Sequence, residues 1–501
     1  MKKISAILSF LILFFLVDYL LFGVLFWKLP NESPWNSSHF YNALYEIKNA
    51  PPKKAKRIVF VGSSLVYYSV NQAVVREKLK QATGETFELV FVSFAGMTPF
   101  DSYMMKDVIL GLEPDLVVYP LNFIDFRLHR PYLLGDTAQT VAEEKMLLDD
   151  SLNLAEAPQS LYFYPWQVLR EYLFAIGIQR SAVYLSAAIS DTFRYRLLAM
   201  GAVAEMISHR FGRNTSYHGY MGVQMPQRVN ARGWTGQEFV FQPTEKIRKE
   251  GIWLEVVPEI ADRDFFIRFD AENNSQKFYF PTPGWKHISS PVFSAQNVTA
   301  RLAKTWQPIE SQGHLFDYLH DRLGVRLPQT FGRQNPPSGL YFHREERLED
   351  LRFDQMTERE YKSYFNEYLL KDPEKRPGIA YLHALKTAKE KVSREVFRRS
   401  FQFVYLQKLV AQLSVPVLLV NHPENPLSLA WYGDSVWYLG YLDFMRQLNA
   451  NKIDFIDMKN KLEMRDFLDY HHITWKASLV FSDFLSEIII KKFMTQETVV
   501  K

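Results

Sequence analysis

The stretch from Ile58 to Tyr119 leaves this chain few folds to choose from. Ile58-Val59-Phe60-Val61 is a short continuous apolar run that stops at Gly62, and a helical stretch follows from about Gln72 to Lys80. Phe87 to Ser93 reads as a second strand, with a helix from Ser102 to Leu110 behind it. Leu116 to Tyr119 reads as a third, introduced by the Pro114-Asp115 turn. Unbroken apolar strands are those buried on both faces, and strands that alternate with helices pair in parallel through right-handed crossovers. The rhythm returns near the other end. Val415-Pro416-Val417-Leu418-Leu419-Val420 and Ile453 to Ile456 read as strands, among helical patterns at Phe401 to Leu413, Tyr438 to Leu448 and Ala477 to Lys491. The simplest arrangement is an α/β fold with one five-stranded parallel sheet, split by a long insertion between its third and fourth strands.

The expected plan therefore runs as two half-domains, 57–130 and 396–495, around an α+β insertion at 131–395. The insertion is helical over 131–215, where Trp166, Leu169, Tyr172 and Leu173 share a face, and β-rich over 217–300. There Trp253 to Val257, Phe265 to Phe269 and Lys277 to Phe280 are strand-like. Residues 301–395 return to charged, helical patterns. Trp253, Trp285 and Tyr279 are either core aromatics or platforms for sugars.

Ahead of all this, Lys2 and Lys3 precede an apolar run from Ile4 to Trp27 broken only by Asp18. About 24 residues at 1.5 Å each give roughly 36 Å of helix, enough to cross a bilayer. The run is longer than the apolar part of a signal peptide and no small-x-small cleavage site follows before Pro30. It reads as a signal-anchor over 4–27 joined by a polar tether, 28–56. The flanking lysines place the N-terminus in the cytoplasm, so the bulk of the chain is expected outside it, in the periplasm or at the cell surface. A carboxylate inside a membrane is costly unless paired, so Asp18 is expected to face a partner helix. Tyr172 to Ile189 is apolar as well, but Arg180 interrupts it.

Composition removes several classes of function. The net charge of +4 over 501 residues is too small for a nucleic-acid binder. The absence of cysteine excludes thiolate zinc sites, iron–sulfur clusters and cysteine nucleophiles. No phosphate-binding loop or metal-ligand cluster is evident, so neither cofactor nor metal is expected.

In open α/β sheets, sites form beyond the carboxyl ends of the strands. Gly62-Ser63-Ser64-Leu65 follows the first strand, Phe94-Ala95-Gly96-Met97 the second, and Pro120-Leu121-Asn122-Phe123 the third. Asp469-Tyr470-His471-His472 comes after the last strand and just before the closing helix. A hydroxyl, an imidazole, a carboxylate and amide donors are the parts of nucleophilic acyl transfer. Asp317 and His320 repeat the Asp-x-x-His spacing inside the insertion, in what reads as an amphipathic helix face. His471 is the rival to His472 as base. Arg127 is a weak candidate for binding an anionic substrate group, and His422, which ends the fourth strand, for lining the same mouth.

These blocks resemble the SGNH (GDSL-type) hydrolase superfamily. Gly62-Ser63-Ser64-Leu65 is similar to its Gly-Asp-Ser block with Ser63 in place of Asp, Gly96 to its second block, and Asp469 with His472 to its last. Asn122 is similar to the Asn of the third block, with Pro120 where Gly is usual and Phe123 where Asp is usual. The Gly-Ser-Ser form resembles membrane-anchored branches, the teichoic-acid D-alanylation protein family and the acetyltransferase-like proteins of alginate and peptidoglycan modification. The resemblance covers roughly 57–127 and 400–490. It implies a three-layer, flavodoxin-like domain with Ser64 as nucleophile, His472 as base and Asp469 orienting the imidazole. The amides of Ser64 and Gly96 and the Asn122 side chain would receive the oxyanion.

The expected function is a membrane-anchored serine ester hydrolase or O-acyltransferase acting on cell-envelope glycan or lipid-linked glycan, with a membrane acyl-donor protein as a partner. The departures at Ser63, Pro120 and Phe123 keep a second expectation open: a non-catalytic scaffold that binds a partner or glycan through its insertion.

Overall fold

The computed structural model describes residues 2–28, 39–126, 158–173, 177–210, 223–229, 234–271, 274–306, 323–327, 353, 356–372, 379, 382–383, 401–449 and 452–499. The chain divides into two units, Glu46–Ile189 with Phe342–Lys501, and Met1–Tyr45 with Ser190–Tyr341.

The first unit holds the parallel sheet expected from the strand–helix rhythm. Its strands are β1 (Lys56–Gly62), β2 (Phe87–Ser93), β3 (Leu116–Leu121), β4 (Val417–Asn421) and β5 (Ile453–Asp457). They lie in the order β2-β1-β3-β4-β5, and each neighbouring pair is parallel. The two sequence segments meet at β3 and β4, in register from Val117 opposite Val417 to Leu121 opposite Asn421. Every residue of β3 and β4 is buried, which is why both read as unbroken apolar runs. The order 2-1-3-4-5 reverses direction between β1 and β3, and in such sheets the crevice beyond that switch point is where ligands bind.

Gly62 closes β1 at φ +151, and a Cβ there would lie 2.9 Å from the Pro120 carbonyl oxygen and 2.9 Å from the Val66 side chain. The chain therefore turns sharply out of β1 only because this residue has no side chain. Ser63 then caps the Ser64–Ser69 helix, its hydroxyl accepting from the Leu65 N–H. Serine and aspartate are equally good N-caps, so a serine starts this helix as well as an aspartate would.

The second unit is built on antiparallel strands. Val223–Val229, Thr235–Pro243, Val298–Leu302, Phe266–Ala271 and Asn274–Tyr279 form one sheet in that spatial order. Ile252–Val256 pairs with Gly284–Ile288 in a second. Phe239, Phe241, Phe265, Phe269 and Phe293 are fully buried in its core. The aromatics singled out in the sequence lie nearer the surface. Trp253 packs against its cross-strand partner His287 with ring centroids 4.9 Å apart, and Tyr279 packs at 5.7 Å on Phe266.

This unit also carries the apolar N-terminus, helical from Lys2 to Asp18 and continuing through a wider π-helical turn at Tyr19–Val24. Ser9–Trp27 is one helical stretch long and apolar enough to cross a membrane. The partner expected for Asp18 proves to be this chain itself. Its carboxylate, 5% exposed, accepts from the backbone N–H groups of Asp191 at 2.8 Å and Thr192 at 2.7 Å and from the Ser190 hydroxyl at 3.3 Å. These groups open the Asp191–Arg210 helix. A helix N-terminus offers unbonded N–H groups and the positive end of the dipole, so it satisfies a carboxylate without a partner protein.

Candidate active site

The first and last sequence blocks come together at the carboxyl end of the parallel sheet, and the other two follow the ends of the strands on either side of β1. Ser64 is the first residue of its helix, partly exposed at the carboxyl end of β1. Its Oγ lies 2.8 Å from Nε2 of His472. His472 Nδ1 lies 2.8 Å from Oδ2 of Asp469, while Asp469 Oδ1 accepts from the backbone N–H groups of His472 at 2.8 Å and His471 at 2.9 Å. A buried carboxylate can only accept, so Nδ1 carries the proton and Nε2 is left as the acceptor facing the Ser64 hydroxyl. That is the tautomer a general base requires.

The loop bearing Asp469 and His472 is closed on itself: Leu468 N–H donates to His472 O at 2.8 Å and Thr474 N–H to Asp466 O at 2.7 Å. Three side chains also hold its backbone. Tyr361 Oη donates to Phe467 O at 2.8 Å, Tyr364 Oη to Leu468 O at 3.0 Å, and Asn425 Nδ2 to Asp469 O at 2.9 Å. The Tyr68 ring lies 4.3 Å and the His471 ring 3.9 Å from the His472 ring. His471, the rival base, has its Nδ1 3.6 Å from Asp469 Oδ1, while the Ser64 contact belongs to His472.

Sequence reasoning missed these supports. Tyr68 follows Ser64 by four residues in one helix, the spacing that puts two side chains on one face, and could have been found. Asn425 carries the N-cap signature before Pro426. Tyr361 and Tyr364 come from a segment remote in sequence and gave no local signal.

The oxyanion candidates sit at the ends of adjacent strands. Ser64 is the N1 position of its helix, whose N–H has no intrahelical acceptor. Gly96 turns at φ +76 behind β2. Asn122 follows β3, its Oδ1 accepting from Ile124 N–H at 3.0 Å, which leaves Nδ2 as the donor end of the side chain. Its neighbours Pro120 and Phe123 each have a structural reason. Pro416 O accepts from Val117 N–H and Leu121 O accepts from His422 N–H, so odd-numbered residues of β3 point to the β4 side and even-numbered ones to β1. The β1–β3 pairing ends at Phe60 opposite Val118, so the N–H that Pro120 lacks falls beyond that ladder. Phe123 fills an aromatic cluster with Tyr438 and Tyr441, while Asp125, two residues on, accepts from Asn122 N–H at 3.0 Å.

Two further candidates fare differently. His422 is fully buried against Phe481, with Nδ1 2.8 Å from Pro423 O, so it does not line a surface open to substrate as expected. A continuous apolar strand ending in a buried turn takes its last polar side chain inside. Arg127 lies outside the described residues, as do Asp317 and His320.

Asp469, His471 and His472 bring metal-ligand atoms within 4.8 Å of one another. Both His472 nitrogens face hydrogen-bond partners and both Asp469 oxygens accept bonds, so two of these three residues already spend their ligand atoms on hydrogen bonds.

Behind the site, burial pushes the Glu424 carboxyl up to about 8, reinforced by the Asp125 and Asp457 charges and opposed by the Tyr432 hydroxyl that donates to it at 2.6 Å. Burial pushes the His422 imidazole down to about 3. Glu424 binds its proton more tightly folded than unfolded, so its contribution is complete below its ordinary value of 4.5 and is lost as pH rises toward 8. His422 binds its proton less tightly folded, so its contribution is lost as pH falls from 6.5 toward 3. The two slopes oppose each other between 4.5 and 6.5, and the Glu424 loss stands alone above 6.5. Glu424→Gln, which keeps a neutral group there, is expected to flatten the fall in Tm between pH 6.5 and 8, a slope of about 1.4 kcal/mol per pH unit. An unchanged fall in the variant would refute the assignment.

A protein-family model of unknown function matches residues 31–494. An uncharacterized protein of Leptospira interrogans serogroup Icterohaemorrhagiae serovar Lai (strain 56601) is 42% identical over 493 residues, covering 96% of this chain and 93% of its own. The family match takes in both halves of the parallel sheet together with everything between them, and the chain belongs to this family of unknown function.

Proposed function

We propose that this protein is a membrane-tethered, extracytoplasmic serine esterase or O-acyltransferase of the SGNH type, acting on envelope glycan or lipid-linked glycan. The observation that carries the reading is the continuous relay of 2.8 Å contacts from Ser64 through His472 to Asp469 at the sheet's switch point. A non-catalytic scaffold would be free to turn Ser64 and His472 apart or to cover them; the short contact and the partly exposed serine support catalysis instead. The tether reading rests on the apolar stretch Ser9–Trp27 and its flanking lysines, and the choice of glycan on the resemblance. With Asp18 satisfied inside the chain, the resemblance alone carries a membrane acyl donor as partner.

In this reading Ser64 Oγ attacks the ester carbonyl carbon and passes its proton to His472 Nε2. The carbonyl electron pair moves to the oxygen, which the Ser64 and Gly96 N–H groups and Asn122 Nδ2 receive. When the tetrahedral centre collapses, the C–O bond to the leaving alcohol breaks and His472 returns the proton to that oxygen. An acyl-Ser64 ester remains. His472 then takes a proton from water or a sugar hydroxyl, whose oxygen attacks the acyl carbon; as that centre collapses the acyl C–Oγ bond breaks and His472 returns the proton to Ser64 Oγ, restoring the serine. Asp469 stays ionised throughout and stabilises the imidazolium.

Full-length protein in detergent, given p-nitrophenyl esters from acetyl to palmitoyl with and without an oligosaccharide acceptor, tests this. Nitrophenol release that depends on Ser64, and that the acceptor accelerates if the enzyme is a transferase, is the expected result. Release identical in wild type and Ser64→Ala across the whole series would overturn it.

A further inference from the structure

We propose that the protein meets the membrane at a second place: the first turns of the Asp191–Arg210 helix, held beside the apolar span by Asp18 and seated in the phospholipid headgroup layer. The inference rests on reading Ser9–Trp27 as a membrane span.

Exposure along the N-terminal helix fixes where lipid stops. From Ser9 to Leu21 each residue except Asp18 is exposed; beyond them Leu25 is still exposed, but Gly23, Phe26 and Trp27 are buried among the protein's own residues. Trp27 packs against Tyr41 at 5.3 Å and against Tyr195 at 5.0 Å. A residue enclosed by protein does not face lipid, so the apolar helix that starts at Ile4 leaves lipid at about Phe22. That is roughly 28 Å of helix, close to the hydrocarbon thickness of about 30 Å. The outer edge of the hydrocarbon then falls near Phe22, and Asp18 lies about 6 Å below it.

The Asp18 hydrogen bonds bring Ser190, Asp191 and Thr192 to that same depth. The approach is close: a Cβ on Gly23 would sit 2.5 Å from Asp191 Oδ2. From there the Tyr195–Trp27 contact leads the helix outward beside the end of the span. Its first turns thus cross the boundary between acyl chains and headgroups. Backbone N–H groups taken to that depth need internal acceptors, and the Asp18 carboxylate supplies them.

The side chains on these turns have the chemistry of that layer. Leu197 and Met200 are 58% and 67% exposed. The exposed Arg196 lies 4.0 Å over the Phe193 ring, and the Arg194 guanidinium lies 5.1 Å over that of Tyr195. Both guanidinium heads rest over rings of this helix, and Arg196 Nη1 also donates to Phe193 O at 2.7 Å, so cationic groups lie against apolar surface, a pairing typical of membrane interfaces. Anionic phospholipid is therefore the occupant: Phe193 and Leu197 at the acyl edge, Arg194 and Arg196 at the phosphates.

The cysteine-free chain makes the test direct. Single cysteines at Phe14, Phe193, Leu197 and Tyr279 of the full-length protein carry nitroxide labels in nanodiscs of phosphatidylethanolamine and phosphatidylglycerol. Collision with oxygen, which enters the bilayer, is compared with collision with a water-soluble nickel chelate. Labels at Phe193 and Leu197 are expected to collide with nickel at least threefold less than the label at Tyr279, with Phe14 lower still. Phe193 and Leu197 labels as nickel-accessible as Tyr279, beside a protected Phe14, would overturn this inference alone. A nickel-accessible Phe14 would instead sink the span reading, and this inference with it.

Discussion

Ser64→Ala is expected to lower ester turnover by about three orders of magnitude or more, to the residual level that oriented binding and oxyanion donors sustain without a nucleophile. The loss should fall on kcat, because removing the hydroxyl deletes the bond-forming atom and leaves the rest of the pocket in place. The fold should be indifferent. Ser64 Oγ meets the His472 ring, while the start of the helix is fixed by Ser63 and the exit from β1 by Gly62. A melting temperature within a degree or two of wild type, beside lost turnover, separates chemistry from folding. Loss of less than tenfold would mean that Ser64 is a turn residue.

Asp469→Asn should be nearly as severe, by a different route. Asp469 Oδ2 accepts from Nδ1 of His472, and Oδ1 accepts two backbone N–H groups. An asparagine there can keep its oxygen toward the two N–H groups and must then present its amide hydrogens to the ring. The imidazole moves its proton to Nε2 to answer them, and the nitrogen facing Ser64 becomes a donor that cannot take the serine proton. A fall in kcat of about 10³- to 10⁴-fold is the scale for this tautomer change in serine hydrolases generally. KM should move by no more than a few-fold, because the carboxylate is buried behind the histidine. An equal loss in KM, or a loss of less than tenfold, would show that Asp469 acts on the loop and not on the ring.

How legible was this in the sequence? The parallel sheet was readable because its strands are buried on both faces, so burial and continuous apolarity coincide at Ile58 to Val61, Leu116 to Tyr119 and Val417 to Val420. The joining of β3 to β4 across the insertion followed from that same rhythm. Ser64, Asp469 and His472 stood out because each lies in a turn beside a strand or helix end, where short-range spacing still reports on geometry. The supports for the site were hidden for the opposite reason. Tyr361 and Asn425 act through hydrogen bonds to main-chain carbonyls of the Asp469 loop, and nothing near them in sequence announces such a bond. Asp18 is the sharpest case. The cost of its charge was legible, but its remedy was a helix start more than 170 residues away, as the separations of its hydrogen bonds record. His422 misled for a simple reason: a polar residue at a strand's carboxyl end is as readily tucked under the turn as presented to the crevice.

The departures from the motif that these blocks resemble also gain a physical meaning. Ser63 does the capping that an aspartate would do. Pro120 occupies a ladder position that needs no donor, and Phe123 trades a polar neighbour for aromatic packing while Asp125 takes over the bond to Asn122. Each departure thus has a structural role of its own, and none argues against catalysis.

The central claim is that Ser64 is an activated nucleophile, and labelling of the full-length protein with a fluorophosphonate, read by intact mass and peptide mapping, tests it most directly. One adduct on Ser64, lost in both Ser64→Ala and His472→Ala, is the result expected. A folded protein that takes up no label, or takes it up equally in His472→Ala, would contradict the claim and leave the parallel-sheet unit a binding scaffold.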